Sequence, residues 1–242
     1  MDNTQDHFAL FQTGHYHRRF QHNHIHKMRS AHLRSSYRKS MDQLRCLGWP
    51  DPLAREVPRI LLCGTASAYT TMTFARFIRE YHQEAWLDVL DISAYPLQQS
   101  QRLLQRCRDL DLMRVSFVEG NALQAPFSDE CFDWIETDFF LQFFSPTEKQ
   151  ALFREWYRLL KPGGIITTRD WLQQKGNLVE QCAQRTKSWL VRHTLGPMTY
   201  STSLADVREM LCTTGFEAAF FPEKILHMKL PLLTSILFYK SL

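Results

Sequence analysis

The stretch from Val115 to Trp171 constrains the possible fold more than any other part of this chain. Short apolar runs over 114–119, 133–136 and 165–168 alternate with a polar turn and with a helix-length segment over 146–160. Runs of this kind are typical of buried strands in a parallel sheet, and the intervening helices cover such a sheet on both faces. The stretch therefore predicts an α/β fold.

The same alternation continues on both sides of this stretch. The further predicted strands are 59–63, 86–91, 216–221 and 233–239, and the further predicted helices are 70–83, 94–108 and 204–214. Ser145 and Pro146 are suited to cap and open the helix over 146–160, and Gly215 is suited to end the helix over 204–214. Ligands of such sheets bind at the carboxyl ends of the strands.

Residues 1–50 differ in composition from the rest of the chain. They hold eight Lys and Arg against three Asp, together with seven of the ten histidines. Few helix breakers occur over about residues 16–47, which favours one or two basic helices. We therefore expect a basic, histidine-rich helical extension over 1–50 and an α/β domain over 51–242.

Other features of the chain limit the classes of protein to consider. No apolar run approaches the roughly 20 residues of a membrane span, and the N-terminus lacks the pattern of a secretory signal. The six cysteines include no Cys-x-x-Cys pair, a pattern that favours reduced thiols over a disulfide framework or a zinc site. We expect a cytoplasmic protein with no membrane span.

Polar residues follow two of the predicted strands at the edge where a ligand would bind. Asp91 ends the second strand, where an acid can accept both hydroxyls of a ribose, although an aspartate here can equally cap a helix or a turn. Asn121 follows the third strand, where its amide could bind an adenine amino group or simply form a turn, while Ala122 leaves room for a ring.

The order and spacing of these pieces resemble those of a known family. Asp91, Glu119-Gly120-Asn121-Ala122, Pro126-Phe127, Phe132-Asp133 and Leu159-Leu160-Lys161-Pro162-Gly163-Gly164 resemble the class I S-adenosylmethionine-dependent methyltransferases of the small-molecule type. The resemblance covers roughly residues 56–171. It implies a Rossmann-like, seven-stranded, mostly parallel sheet with helices on both faces, here with the N-terminal helical extension added.

The resemblance also implies S-adenosylmethionine as the cofactor and assigns roles around it. Asp91 would hold the ribose, Ile92 would pack on the adenine, and Asn121 and Ala122 would contact the adenine edge. The backbone at Gly64 and Thr65 and around Thr137 would hold the methionine end. The family usually has aspartate where Asn121 stands.

The first loop departs from the pattern of the family, which is an acid followed by Gly-x-Gly-x-Gly. Leu62 stands at the acid position, and the glycines correspond to Gly64, Ala66 and Ala68. Alanine is strained wherever the backbone needs a positive φ. The loop could follow another path or bind the cofactor weakly, or the fold could persist without methyl transfer.

Methyl transfer requires few catalytic side chains, because positioning of the reactants and exclusion of water provide most of the rate acceleration. A base is needed only where the acceptor loses a proton. The candidates facing the methyl group are Thr137 and Asp138 after the fourth strand and Asp170 and Trp171 after the fifth, with Asp138 and Asp170 as the predicted catalytic residues. Weaker candidates are Gln142, His193 and Tyr200. Residues 172–200 are interpreted as a lid insertion over a small-molecule acceptor.

The histidine-rich extension allows several interpretations. His22, His24 and His26 could bind a transition metal, but no acid in the run completes a site, and we predict none. The basic charge could meet an anionic membrane surface or RNA, with stacking aromatics at Tyr16, Phe20 and Tyr37. A helical lid is the favoured interpretation, and nucleic acid is not the favoured partner.

Overall fold

The computed structural model describes residues 11–14, 17–18, 25–110, 113–173, 186, 200, 202–222 and 233–241, with the side chains of the first helix described from His32 onwards. Its α-helices are α1 (Ile25–Leu47), α2 (Ala68–Tyr81), α3 (Ala94–Leu104), α4 (Pro146–Leu159) and α5 (Leu204–Thr214). Its strands are β1 (Arg59–Cys63), β2 (Trp86–Asp91), β3 (Arg114–Glu119), β4 (Phe132–Asp138), β5 (Leu160–Trp171), β6 (Phe216–Pro222) and β7 (Leu233–Lys240).

The seven strands form one sheet in the order β3-β2-β1-β4-β5-β7-β6. β1 to β5 pair in parallel, and β7 runs antiparallel to both of its neighbours, β5 and β6. β1 lies between β2 and β4, so the strand order switches direction there, and a ligand crevice opens beyond the carboxyl ends of these strands. The predicted fold class is confirmed.

Local signals set several element boundaries as predicted. Ser145 and Glu148 form a capping box at the start of α4, with Pro146 in the first turn. Gly215 ends α5 with a φ of 98°, in the left-handed region that favours glycine.

Several predicted boundaries differ from the observed ones by one or two residues, as in α2, which spans Ala68–Tyr81 rather than 70–83, and two differ by more. The helix predicted over 94–108 ends at Leu104, because the amides of Arg106 and Cys107 bond to carbonyls three residues back and tighten the chain into a separate 3-10 turn over Arg108–Leu110. The fifth strand begins at Leu160 rather than Ile165. Its pairing with β4 is interrupted between Leu160 and Ile165, so the Lys-Pro-Gly-Gly turn is a bulge within the strand.

Helix α1 is part of the hydrophobic core. Its residues Leu33, Tyr37, Met41 and Leu44 are buried at helical spacing in the cluster on one face of the sheet. On its outer side Arg34 and Arg38 form ion pairs with Glu80 of α2. Because Tyr37 is buried, the suggestion that it stacks on RNA bases is wrong, while Tyr16 and Phe20 lie outside the described residues.

Among the helices that the structure describes, none is both long and apolar enough to cross a membrane. Among the described residues, no group of three or more His, Cys, Asp and Glu side chains could hold a metal ion. The suggested histidine cluster falls on His22 and His24, which are outside the described residues, and on His26, whose side chain is not described.

Candidate functional site

A cavity of about 300 Å³ lies at the carboxyl ends of β1, β2 and β4. The site residues predicted from the sequence that line it are Gly64, Thr65, Asp91, Ile92, Asn121, Ala122 and Asp138. Residues from distant parts of the chain complete it, among them Phe11, His17 and Tyr37 from the N-terminal extension. The fold thus brings most of the predicted site to one place.

The loop after β1 is ordered by its own hydrogen bonds. Gly64 has a φ of 78°, and its amide donates to the Leu90 carbonyl over 2.8 Å. Neither Ala66 nor Ala68 has a positive φ, and Ala68 is the first residue of α2. The glycine-to-alanine departures therefore carry no backbone strain, since the only loop position that needs glycine has it.

Asp91 is buried at the end of β2 and organises the two loops beside it. One carboxylate oxygen accepts the Thr65 amide over 2.8 Å, and the other accepts the Ser93 amide over 2.9 Å. The His17 Nε2 atom lies 3.5 Å from the second oxygen. A carboxylate has about four lone-pair sites, so ribose hydroxyls could still donate to Asp91.

The chain after β3 lines the cavity with Gly120, Asn121 and Ala122. The Asn121 side-chain oxygen accepts the Leu123 amide over 3.0 Å, which forms the turn, and leaves its amide nitrogen for another partner. Ala122 is buried and contributes to the same wall as Ile92.

At the end of β4 the side chains alternate between the two faces of the sheet. Glu136 and Asp138 line the cavity, whereas Thr137 between them is fully buried and does not. Phe139 follows with a φ of 53°, a conformation that is strained for an aromatic residue, and its amide donates to the Arg169 carbonyl. Such strain is concentrated at functional sites.

A buried polar network connects Glu136 and Asp138. The Arg169 guanidinium donates to a carboxylate oxygen of each, over 3.0 Å in both cases, and Thr167 donates to Glu136 as well. Burial raises the pKa of Glu136 to about 8, and Arg169 only partly opposes this rise. A buried carboxyl group with a strongly raised pKa at the wall of a cavity points to function.

Asp138 and Asp170 were both predicted as catalytic residues, but only Asp138 lines the cavity. Asp170 is buried outside the cavity lining, and its two oxygens accept the Leu141 and Trp171 amides, each over 2.7 Å. Trp171 itself lines the cavity.

Among the three weaker catalytic candidates, Gln142 and Tyr200 also differ in their positions relative to the cavity. Gln142 lines the cavity, and its carbonyl accepts the Tyr200 amide over 2.7 Å, but Tyr200 does not line the cavity. His193 and most of the predicted lid insertion lie outside the described residues.

Aromatic side chains form much of the remaining wall. These are Phe11, Tyr37, Phe139, Phe140, Phe143, Phe144 and Trp171. The Phe140 ring packs directly against Gly64, where a Cβ would meet its Cε2 atom at 2.5 Å. An aromatic-lined cavity of this size suits a planar apolar ligand with few polar groups.

Several lining residues were not predicted as parts of the site, among them Glu136, Tyr37 and His17. Glu136 carried a signal, because a charged residue inside an apolar strand is unusual unless it is paired or functional. Tyr37 and His17 carried none, because only packing of the extension against the sheet brings them to the cavity.

Comparisons with known proteins agree with this arrangement. A family model described as a methyltransferase domain matches residues 60–164. A demethylmenaquinone methyltransferase of Listeria welshimeri is 32% identical over 108 residues, which are 45% of this chain and 42% of the relative. A ubiquinone/menaquinone biosynthesis C-methyltransferase of Pectobacterium carotovorum is 32% identical over 112 residues, which are 46% of this chain and 42% of the relative. The chain thus spans about two fifths of the length of these curated relatives.

Solved structures support the same fold. A methyltransferase structure from Methanosarcina mazei superposes with a TM-score of 0.60 at 17% identity, covering 78% of this chain and 95% of that one. The YcgJ protein of Bacillus subtilis gives 0.61 at 16% identity, covering 88% of this chain and 99% of that one. The matched domain contains β1, the acid that ends β2, the turn after β3 and the Lys-Pro-Gly-Gly bulge. Residues 60–164 are thus similar to a methyltransferase domain, and the fold is that of the solved methyltransferase structures.

Proposed function

We propose that this protein transfers a methyl group from S-adenosylmethionine to a small, planar aromatic acceptor. The observation that carries the proposal is the single cavity in which the strand-end residues of a nucleoside site meet an aromatic wall. Two relatives bear names of methyltransferases that act in quinone biosynthesis, which supports a planar acceptor. S-adenosylmethionine supplies a methyl group already activated on a sulfonium sulfur.

The chain's own residues fit the nucleoside part of this cofactor. Asp91 retains acceptor capacity for the ribose hydroxyls, and Ile92 and Ala122 provide an apolar surface for the adenine. The Asn121 amide would bind the adenine edge. The backbone at Gly64 and Thr65 and around Thr137 would hold the methionine end.

Asp138 is the proposed proton acceptor. It lines the cavity, and the Arg169 Nε–H group holds one of its oxygens over 3.0 Å, which fixes the orientation of the carboxylate. Asp170 would position Leu141 and Trp171 through its two backbone contacts rather than touch a ligand.

The N-terminal extension would close the acceptor side of the cavity, as a lid would. Phe11 packs edge-on to Phe143 at 5.1 Å, and His17 reaches Asp91. Residues 172–200 would add to this lid. Free thiols at all the described cysteines support a cytoplasmic location.

A second candidate function is a methyltransferase-fold binder that no longer methylates. The contact between Phe140 and Gly64 favours it, because the ring packs on the loop that would hold the methionine end. A third candidate function, methylation of RNA, is less well supported. The α1 residues Arg34 and Arg38, which could contact RNA phosphates, already form ion pairs with Glu80.

Calorimetric titration separates the first two candidates. We expect S-adenosylmethionine and S-adenosylhomocysteine to bind, and tritium from the methyl-labelled cofactor to enter members of a panel of phenols, naphthols and quinols. Absence of binding at millimolar cofactor would exclude the enzyme, whereas binding without transfer to any acceptor class would favour the binder.

A further inference from the structure

Three buried hydroxyl groups connect the loop after β1 to helix α3. The Thr65 hydroxyl lies 2.9 Å from that of Thr71 on α2, and the Thr71 hydroxyl lies 3.0 Å from that of Ser100 on α3. These three residues, here called the hydroxyl chain, each expose at most 1% of their surface. Because they are buried, each hydroxyl depends on its neighbours for hydrogen bonds.

The hydroxyl chain has one direction. The Thr65 hydroxyl bonds to the Ser67 carbonyl oxygen over 3.0 Å, and Thr65 must be the donor because a carbonyl oxygen only accepts. A hydroxyl carries one proton, so Thr71 donates to Thr65, and Ser100 in turn donates to Thr71. Hydrogen bonds in such a row polarise and strengthen one another. The row starts at α3 and ends at the backbone of the loop.

Thr71 and Ser100 lie on helix faces that are otherwise largely apolar. Ser100 shares the buried face of α3 with Leu97 and Leu104, at spacings of three and four residues. Thr71 lies three residues before the buried Phe74 on α2. A buried hydrogen bond adds little net stability, whereas a fully bonded network fixes the positions of the groups that it joins. The hydroxyl chain therefore determines geometry more than stability.

The last residue of the hydroxyl chain lies at the cavity. Thr65 lines the cavity, and its bond to Ser67 closes the turn around Ala66, which also lines it. The Thr65 amide donates to Asp91 over 2.8 Å, and Asp91 also accepts the amide of Ser93, the residue that caps α3. The loop after β1 and helix α3 are thus joined at two points, one through Asp91 and one through the hydroxyl chain.

We propose that Thr71 and Ser100 are positioning residues for the cofactor, acting through Thr65. The hydroxyl chain holds the backbone of residues 64–67 in the shape that receives the methionine end, while the Asp91 carboxylate receives the ribose. The inference rests on the proposed function, since it concerns the same cofactor site. Neither Thr71 nor Ser100 lines the cavity, so loss of either hydroxyl should weaken cofactor binding without removing a contact to the cofactor.

Calorimetric titration of the full chain with S-adenosylhomocysteine measures this role. Thr71→Val keeps the shape of the side chain, breaks the hydroxyl chain at its centre and should weaken binding by about tenfold, the equivalent of one hydrogen bond. Ser100→Ala removes only the first bond and should weaken binding by about threefold. The double variant should bind no more than about twofold more weakly than Thr71→Val, because the two hydroxyls act as one unit.

Two further variants separate positioning from a loss of stability. Thr71→Ser keeps a hydroxyl at this position and should bind within about twofold of the wild type. Thr73→Val makes the same substitution on the same helix, at a residue whose hydroxyl donates to the Tyr69 carbonyl of that helix over 2.7 Å. This control should also bind as the wild type does. All titrations are made below the melting temperature of each variant.

Amide hydrogen exchange of the protein without cofactor gives a second readout. Exchange at Thr65 should be about three- to tenfold faster in Thr71→Val than in the wild type, because the bond from its amide to Asp91 opens more often. Thr73→Val should leave the exchange at Thr65 unchanged. A global loss of stability would instead speed exchange across the sheet as well.

Three outcomes would overturn the inference and leave the proposed function intact: wild-type affinity in Thr71→Val, an equal loss in Thr73→Val, or no recovery in Thr71→Ser. If Thr71→Val does not fold, wild-type affinity in Ser100→Ala would overturn it. No binding of S-adenosylhomocysteine by the wild type would refute the proposed function, and this inference with it.

Discussion

The Phe140 ring lies against Gly64 so closely that a Cβ at position 64 would come within 2.5 Å of its Cε2 atom. Gly64 also has a φ of 78°, which L side chains rarely adopt. Glycine is therefore required at position 64 for two reasons. Its backbone has a positive φ, and the Phe140 ring after β4 leaves no room for a Cβ atom.

Replacing Gly64 with alanine should lower the free energy of unfolding by about 2–4 kcal/mol, through backbone strain and overpacking. In a Phe140→Ala background the same replacement should cost only about 1 kcal/mol, because the strain remains but the steric conflict is gone. Denaturant unfolding of the four proteins in this cycle measures both costs. Equal costs in the two backgrounds would show that the ring does not restrict this position.

Asp91→Asn should weaken S-adenosylhomocysteine binding by about 10- to 100-fold, because hydrogen bonds to a charged acceptor are lost. Asp88→Asn is the control, since Asp88 is also buried in β2 but pairs with Arg59 and Ser116 away from the cavity. Both variants should lose stability, and calorimetry should show a loss of affinity in Asp91→Asn alone. Unchanged affinity in that variant would refute the ribose assignment.

Asp138→Asn should lower kcat for a hydroxyl-bearing acceptor by about 100-fold or more while cofactor affinity stays within about threefold. Asp170→Asn should instead lower the free energy of unfolding by about 1–3 kcal/mol, since two buried backbone amides lose their charged acceptor. Tritium transfer and thermal unfolding measure the two effects. The reverse pattern, with activity lost only in Asp170→Asn, would exchange the two roles.

Glu136 should make stability depend on pH in a direction opposite to that of most carboxylates. Burial raises its pKa from 4.5 to about 8, so between these values the folded state holds a proton that the unfolded state releases. Its contribution is fully present below about pH 4.5 and is lost as the pH rises through about 8, at a rate of at most about 1.4 kcal/mol per pH unit.

The Glu136→Gln variant isolates this effect, because all other titrating groups are shared with the wild type. Its free energy of unfolding relative to the wild type should rise between pH 5 and pH 9 in denaturant titrations at intervals of about one pH unit. A relative stability that is constant across this range would mean that Glu136 keeps an ordinary pKa in the folded state.

Elements whose signals are local were predictable from the chain. The strands Arg59–Cys63, Trp86–Asp91 and Arg114–Glu119 have the predicted bounds, since each is a short apolar run enclosed by breakers or polar residues. The end of α3 was not predictable in this way, because the tighter turn after Leu104 depends on burying Leu110 under the sheet.

The amino-acid sequence by itself determined the order of strands and helices, the turn at Asn121 and the place of Asp91 at the end of a strand, because these depend on hydrogen-bonding and burial patterns within a few residues. Only the tertiary structure decided that Tyr37 and His17 reach the cavity, that Phe140 covers Gly64, and that Asp138 rather than Asp170 faces the ligand space. These outcomes depend on packing between segments far apart in the chain and on which face of β4 or β5 each side chain takes, and neither is set by local sequence.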